Sequence, residues 1–339
     1  MEFHAKAAGG DLVGALHQEY DNLLNFITAR DATIVDTAMR GLGTDDELLV
    51  KILCNRSKPQ LALVDTHYRA LPKNKSHTSL CDAVTSETGG DYGEFMKFVT
   101  MSRGKFLADQ LHKAMAGMGC DKKLLNYCFT SSTSEDIQAM QHVYENQHGK
   151  KLADVVRSEL GGEHEKLILF LLAHGRPEDP EDPEMALIQA RELQEMIQAG
   201  KTMMGGLSDA VEEKVSKYIA ALSPKQCVEL KRIWPDFEKT IKDRFGGALE
   251  ECILQLMEEP VDMQARQLRE AMKGLGTDEA TLNRVLAGDH KHIAAQIGTV
   301  FFQKYDRNLS DDLKSETGGD YRNALLTWMA GNEATGGLE

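Results

Sequence analysis

The chain lacks long apolar runs, has few aromatic residues and carries fewer basic than acidic groups. No apolar stretch approaches the roughly 18 residues that a membrane-spanning helix needs, so the sequence predicts no such helix. Its 339 residues include 39 Lys and Arg against 53 Asp and Glu, a net charge of −14. This balance argues against nucleic acid as a partner and against direct attraction to anionic lipid. The 42% of apolar residues still suffice for a globular core.

Paired cysteines and catalytic motifs are also missing. The six cysteines form no CxxC pair, and most lie among apolar neighbours, which predicts reduced, buried thiols in a cytoplasmic protein. The start of the chain has no basic region followed by an apolar stretch, so we expect no secretory signal. We find no nucleophile with a plausible base, no paired catalytic carboxylates and no cofactor motif. The sequence therefore predicts a protein that is not an enzyme.

What the sequence does contain is an internal repeat. The heptapeptide SETGGDY occurs at 86–92 and at 315–321, and Gly-Gly pairs occur at 89, 161, 246 and 318. Upstream of three of these pairs stands the motif Met-x-Gly-x-Gly followed by Thr or Cys, at 39–44, 115–120 and 272–277. Two motifs in fixed register predict four repeats of about 70 residues. Apolar residues at helical spacing, as in Val261, Ala265, Leu268 and Met272, predict about five short helices per repeat and an all-α fold.

The motifs also predict how the chain is divided. Three prolines and four acids between 176 and 183 indicate an exposed linker in the middle of the chain. The predicted parts are a short N-terminal head (1–18), the first repeat (19–100), the second repeat (101–174), the acidic proline-rich linker (175–186), the third repeat (187–258), and the fourth repeat with the C-terminal tail (259–339).

The two motifs together indicate a cation site. Glycines permit a loop in which several carbonyl oxygens turn toward one point, and the Glu before each Gly-Gly pair adds a carboxylate. Taken alone, the loop is more often a helix connection and the Glu a solvated residue in a last turn. Their joint recurrence in three copies favours calcium, which prefers oxygen ligands. We expect Thr44 and Glu47 to form a capping box that begins the next helix, and each Gly-Gly pair to end a helix.

These repeats resemble annexin repeats in number, length, loop motif, distant acid and longer central connector. The resemblance implies five-helix repeats arranged as a curved disc with calcium loops on its convex face. It also implies calcium-dependent, reversible binding to anionic phospholipid by a cytoplasmic protein that is peripherally membrane-associated when calcium is bound. Only the first copy keeps the Arg-Ser pair that annexins place after the second helix, as Arg56-Ser57, which suggests a divergent branch such as the protist alpha-giardins.

The resemblance also implies which residues bind the ions. The calcium ligands would be the carbonyl oxygens of Met39, Gly41 and Gly43 with the Glu87 carboxylate, those of Met115, Gly117 and Gly119 with Glu159, and those of Met272, Gly274 and Gly276 with Glu316. Lesser calcium ions would bind at Thr44 with Asp46 and at Thr277 with Glu279. The loop-tip residues Leu42, Met118 and Leu275 would contact the headgroup region of the membrane.

The third repeat departs from this pattern. It has no GxGT motif, and Arg244 occupies the position of the acid, so we expect no calcium site of the usual kind there. This loss mildly favours an alternative, a cytoskeletal or scaffold protein whose repeats bind protein partners and for which calcium is secondary. The three retained loops disfavour that alternative.

Overall fold

The computed structural model describes residues 2–41, 43–177, 183–200 and 207–330. These residues form twenty α-helices and no β-strand, which confirms the predicted all-α class. Several predicted features lie outside the described residues: the loop tip Leu42, residues 178–182 of the linker, residues 201–206 of the third-repeat loop, and the tail from 331.

Each predicted repeat contains five helices, as the periodicity indicated. The first repeat holds α1 (Glu2–Ala38), α2 (Asp46–Leu53), α3 (Lys58–Arg69), α4 (Leu80–Glu87) and α5 (Gly90–Thr100). The second holds α6 (Arg103–Met115), α7 (Lys122–Thr130), α8 (Ser134–His148), α9 (Leu152–Glu159) and α10 (Gly162–His174). The third holds α11 (Pro183–Ala199), α12 (Asp209–Ala220), α13 (Pro224–Ile233), α14 (Phe237–Arg244) and α15 (Gly247–Leu256). The fourth holds α16 (Pro260–Ala271), α17 (Glu279–Ala287), α18 (Lys291–Tyr305), α19 (Leu309–Glu316) and α20 (Gly319–Ala330). Helix α1 runs without a break through the predicted head and into the first repeat.

The helices group into two units. One comprises Met1–Ser102 and Ala271–Glu339, and therefore holds the first repeat together with α17 to α20 of the fourth. The other comprises Arg103–Glu270 and holds the second and third repeats with nearly all of α16.

The first unit buries a tryptophan beside two lysines. Trp328 is fully buried, and the ammonium groups of Lys58 and Lys291 lie 5.7 and 5.4 Å from its ring centroid. Lys58 donates to carbonyl oxygens at the end of α5, at 2.8 and 2.9 Å, and Lys291 donates to the Cys54 carbonyl at 2.5 Å. Both cations donate to carbonyl groups at the ends of helices, where main-chain amide donors are few.

The second unit contains a buried polar chain that joins three helices. The Nε2 atom of His164 on α10 lies 2.8 Å from the Oδ1 atom of Asn126 on α7. The Nδ2 atom of Asn126 donates to the Ala248 carbonyl of α15 at 2.9 Å. Burial lowers the pKa of His164 to about 4. The imidazole is therefore neutral at pH 7, and its Nε2–H donates to Asn126.

The Gly-Gly pairs begin helices. The second glycine of each pair is the first residue of the fifth helix of its repeat and has a φ between +58° and +65° (Gly90, Gly162, Gly247 and Gly319). The fourth helix has already ended two residues before the first glycine. The prediction that the pairs end a helix is therefore wrong. Their left-handed φ explains why glycine is present in all four repeats.

Two further features of the described residues are their free cysteines and the limited apolar length of their helices. None of the six cysteines forms a disulfide in the part of the chain that the structure describes; five are buried and Cys120 is half-buried. Within that part, no helix is both long enough and apolar enough to cross a bilayer.

Candidate metal centres

The paired glycines of three loops share one backbone conformation. In the first loop, Gly41 and Gly43 have φ values of +103° and +91°. The matching pairs are Gly117 at +103° with Gly119 at +93°, and Gly274 at +110° with Gly276 at +88°. A Cβ atom added at any of these positions would meet no heavy atom within 4 Å. Backbone conformation, and not crowding, therefore requires glycine in these loops.

The same main-chain hydrogen bond closes each loop. The amide after the motif donates to the last carbonyl, or the last but one, of the repeat's first helix: Asp45 to Ala38 at 2.9 Å, Asp121 to Ala114 at 2.8 Å, and Asp278 to Ala271 at 2.9 Å. Matching φ values and a matching closure give the three loops a common geometry. In these three repeats, the residues predicted to donate carbonyl oxygens lie within the closed loop.

Aspartate caps the helix that follows each loop. Asp45 accepts a hydrogen bond from the amide of Leu48 at 3.0 Å, so α2 begins at Asp46. Asp121 and Asp278 cap α7 and α17 in the same way. The predicted capping box of Thr44 with Glu47 is therefore wrong, because the side chain of the next residue satisfies the helix amides.

The threonines contact the distant acids. The Oγ1 atom of Thr277 donates to Oε2 of Glu316 at 2.8 Å, across 39 positions of sequence. The Oγ1 atom of Thr44 donates to the main-chain carbonyl of Glu87 at 3.3 Å. Both glutamates are exposed and are the last residues of their helices. The structure thus brings the first and fourth loops together with their predicted acids.

In the second repeat, the loop and Glu159 lie beside a shared cleft, and no threonine links them. Met115 and Glu159 line one cleft, together with His112 of α6, Tyr144 of α8 and other residues of α8 and α9. Cys120 takes the position of the threonine, and burial, with a smaller contribution from Glu159, raises the pKa of its thiol. Loop and acid are neighbours here as well, with a thiol in place of the hydroxyl.

The structure gives no direct contact between the paired residues of the predicted lesser calcium sites, which lie in the described part of the chain. Asp46 is half-buried beside Tyr92 and Asp320, and burial raises the pKa of its carboxyl. Thr44, its predicted partner, contacts Glu87 instead. Glu279 is half-buried at the start of α17.

The two described loop tips are exposed, and the third repeat has a cation where the other repeats have an acid. Met118 and Leu275 have relative exposures of 107% and 108%, so both side chains stand wholly in solvent. In the third repeat, Arg244 is the last residue of α14, at the position that Glu87, Glu159 and Glu316 occupy in the other repeats.

The donor chemistry suits a hard cation. Among the described residues, no group of three or more His, Cys, Asp and Glu side chains could hold a metal ion. The arrangement is instead one carboxylate beside a loop of main-chain carbonyl groups in each of three repeats. Calcium accepts such all-oxygen sets, including main-chain carbonyls and a bidentate carboxylate. The residues present therefore fit calcium.

A family model described as annexin matches residues 30–98, 106–171 and 263–328, more than half of the chain. The chain belongs to the annexin family. The matched segments fall in the first, second and fourth repeats, which are the annexin repeats that carry the three loops.

Curated annexins align with nearly the whole chain. It is 28% identical to annexin A4 of Bos taurus over 319 residues, which cover 91% of this chain and 96% of that protein. It is 29% identical to annexin A13 of Mus musculus over 310 residues, which cover 90% and 95%. Its match to annexin A6 of Mus musculus is 27% identical over 316 residues and covers 89% of this chain but 46% of that protein. The chain thus spans about half the length of annexin A6.

Solved annexin structures share the fold. Annexin III superposes with a TM-score of 0.77 at 27% identity, over 89% of this chain and 93% of that chain. Chicken annexin V in complex with Zn²⁺ gives 0.75 at 25% identity, over 89% and 95%. Calcium-bound alpha-14 giardin gives 0.69 at 18% identity, over 89% and 99%. At 18% identity the likeness shows the fold alone, so the assignment to a giardin branch stays a prediction.

Proposed function

We propose that this annexin binds anionic phospholipid reversibly through calcium ions held in the loops of its first, second and fourth repeats. One observation carries the proposal. The same pair of glycine conformations and the same closing hydrogen bond occur three times, and each of these repeats has a glutamate at the end of its fourth helix. The third repeat has Arg244 at that helix end.

Coordination chemistry explains why the ligand would be a phosphate. Three loop carbonyl groups and one bidentate carboxylate supply about five oxygen atoms, whereas calcium takes six to eight. The open positions can accept an oxygen of a lipid phosphate. Each site is then weak alone and stronger at a membrane surface, which makes the binding reversible.

The attraction must act locally. The chain has a net charge of −14, so three calcium ions leave it acidic and the whole molecule is still repelled by an anionic surface. Charges farther apart than about 8–10 Å are largely screened at physiological ionic strength. An ion shared between loop oxygens and a phosphate acts well within that distance.

The loop tips could add apolar contacts with the membrane. Met118 and Leu275 project fully into solvent beside the proposed sites. Partial burial of each side chain in the headgroup region would contribute about 1–2 kcal/mol.

Sedimentation with phosphatidylserine vesicles tests the proposal. We expect the chain to pellet with vesicles in calcium and to stay in the supernatant in chelator. The triple variant Glu87→Gln/Glu159→Gln/Glu316→Gln should lose most of the calcium-dependent pelleting, because each site loses its charged ligand.

A matched control separates ligand loss from the change in net charge. The variant Glu135→Gln/Glu195→Gln/Asp209→Asn removes three exposed acids away from the loops and should pellet like the wild type. Pelleting that ignores calcium, or none at millimolar calcium, would contradict the proposal and favour the scaffold alternative with cytoskeletal protein partners.

A further inference from the structure

The first helix extends beyond the helix that supports it. Helix α1 packs along α3, and a hydrogen bond between them joins Asn25 Oδ1 to His67 Nε2 at 2.9 Å. Helix α3 ends two residues later, at Arg69. Residues 13–24 of α1, here called the arm, are exposed apart from a half-buried Leu24. At 1.5 Å per residue the arm is roughly 18 Å long.

One face of the arm is apolar. Val13, Leu16, Tyr20 and Leu23, here called the stripe, are 53, 56, 40 and 57% exposed. Their spacing of three, four and three residues keeps them on one side of the helix and follows the 3.5-residue period of a coiled-coil seam. The arm thus shows solvent the kind of face that helices normally bury.

The charge of the arm argues against an anionic membrane as the partner. Glu19 and Asp21 are the charged residues between 13 and 29, and no Lys or Arg occurs in that range. Helices that lie on anionic membranes carry Lys and Arg on their polar face. The two acids flank the stripe on either side, so they can remain in water when another helix covers it.

We infer that the arm pairs with the arm of a second copy of this chain, stripe against stripe. A stripe with a 3.5-residue period is complementary to itself, because two identical helices can interdigitate along it. The same patch then serves both partners, as in a two-fold dimer. Phe26, 66% exposed, lies at the edge of the stripe.

The available area indicates a reversible dimer. Five side chains that are each about half-exposed leave on the order of 100 Å² apiece. Two arms together would bury on the order of 1,000 Å², which is the lower limit for a specific interface. This pairing does not depend on the proposed calcium loops.

Sedimentation equilibrium of the full chain in chelator tests the inference. We expect a monomer–dimer equilibrium for the wild type at concentrations up to about 100 μM. The variant Leu16→Asp/Leu23→Asp should sediment as a monomer. The control Gln18→Asp/Asn22→Asp adds the same charge on the opposite, exposed face of the arm and should keep the dimer.

Three results would overturn the inference. The wild type could be monomeric throughout, or all three proteins could dimerise to the same extent. The wild type could also be a monomer that pellets with phosphatidylserine vesicles in chelator through the stripe, which would assign the arm to lipid. Circular dichroism of both variants checks that their helix content is unchanged. None of these measurements requires calcium.

Discussion

At the scale of single residues, Thr277 makes the most direct link between a loop and its acid. Its hydroxyl donates to the Glu316 carboxylate at 2.8 Å and holds an exposed side chain in one orientation. Thr277→Val removes this donor at constant volume. We expect calcium affinity at the fourth loop to fall roughly tenfold, since a hydrogen bond to a charged group contributes about 1.5 kcal/mol.

Titration calorimetry in a Glu87→Gln/Glu159→Gln background isolates that loop. Thr277→Ser keeps the donor and should bind like the parent. An equal loss in the valine and serine variants would contradict this role of the hydroxyl, because the serine variant still has the donor.

A second residue, His164, makes stability depend on pH. Its pKa is about 4 in the fold, against 6.5 for an ordinary histidine. Between these values the unfolded chain binds a proton that the folded chain excludes, so stability falls as pH drops from about 6.5 toward 4. We expect this residue to account for about 2 kcal/mol of lost stability between pH 7 and pH 5.

Urea unfolding at the two pH values measures the loss. His164→Gln keeps a donor for Asn126 but cannot titrate, so its stability should change less with pH than that of the wild type. The same pH dependence in both proteins would assign the effect to other groups.

At the scale of the helices, the start of the fifth helix depends on one glycine of each pair. Gly247 has a φ of +61°, whereas Gly246 has a φ of −152°, and neither lacks room for a Cβ. Gly247→Ala should therefore lower the free energy of unfolding by about 1–2 kcal/mol. Gly246→Ala should lower the free energy of unfolding by only about 0.5 kcal/mol, because Gly246 is an N-cap residue whose extended backbone alanine can also adopt. Chemical denaturation of the two variants gives the comparison, and similar losses would contradict it.

The same elements show what local sequence could and could not predict. Helix number, the three loops and their acids followed from periodicity and register. The cap was misplaced by one residue because Thr44 and Asp45 are both good caps, and only the fold shows that Thr44 contacts Glu87. Likewise, the buried contact of Asn126 with His164 spans 38 positions. No local pattern encodes a contact that depends on how separate helices pack.

At the scale of the whole molecule, the four repeats are not equivalent. Three have an acid at the end of the fourth helix and one has Arg244. We expect three calcium ions per chain in the presence of phosphatidylserine vesicles, measured by equilibrium dialysis. Arg244→Glu should leave this number at three, because an acid alone does not restore the missing GxGT loop. An additional ion that binds to the Arg244→Glu variant and not to the wild type would show that the loop of the third repeat can already donate ligands.

The position of these residues on their helices has an electrostatic consequence. Helices α4, α9, α14 and α19 are each eight residues long and end at Glu87, Glu159, Arg244 and Glu316. The C-terminal end of a helix carries partial negative charge. A carboxylate at that end is repelled by it, and a cation is attracted. Three repeats therefore keep an unfavourable charge at a helix end for an ion to neutralise, while Arg244 supplies a permanent counter-charge. Calcium bound at the proposed sites would neutralise this charge in the first, second and fourth repeats, whereas the third repeat needs no ion at its helix end.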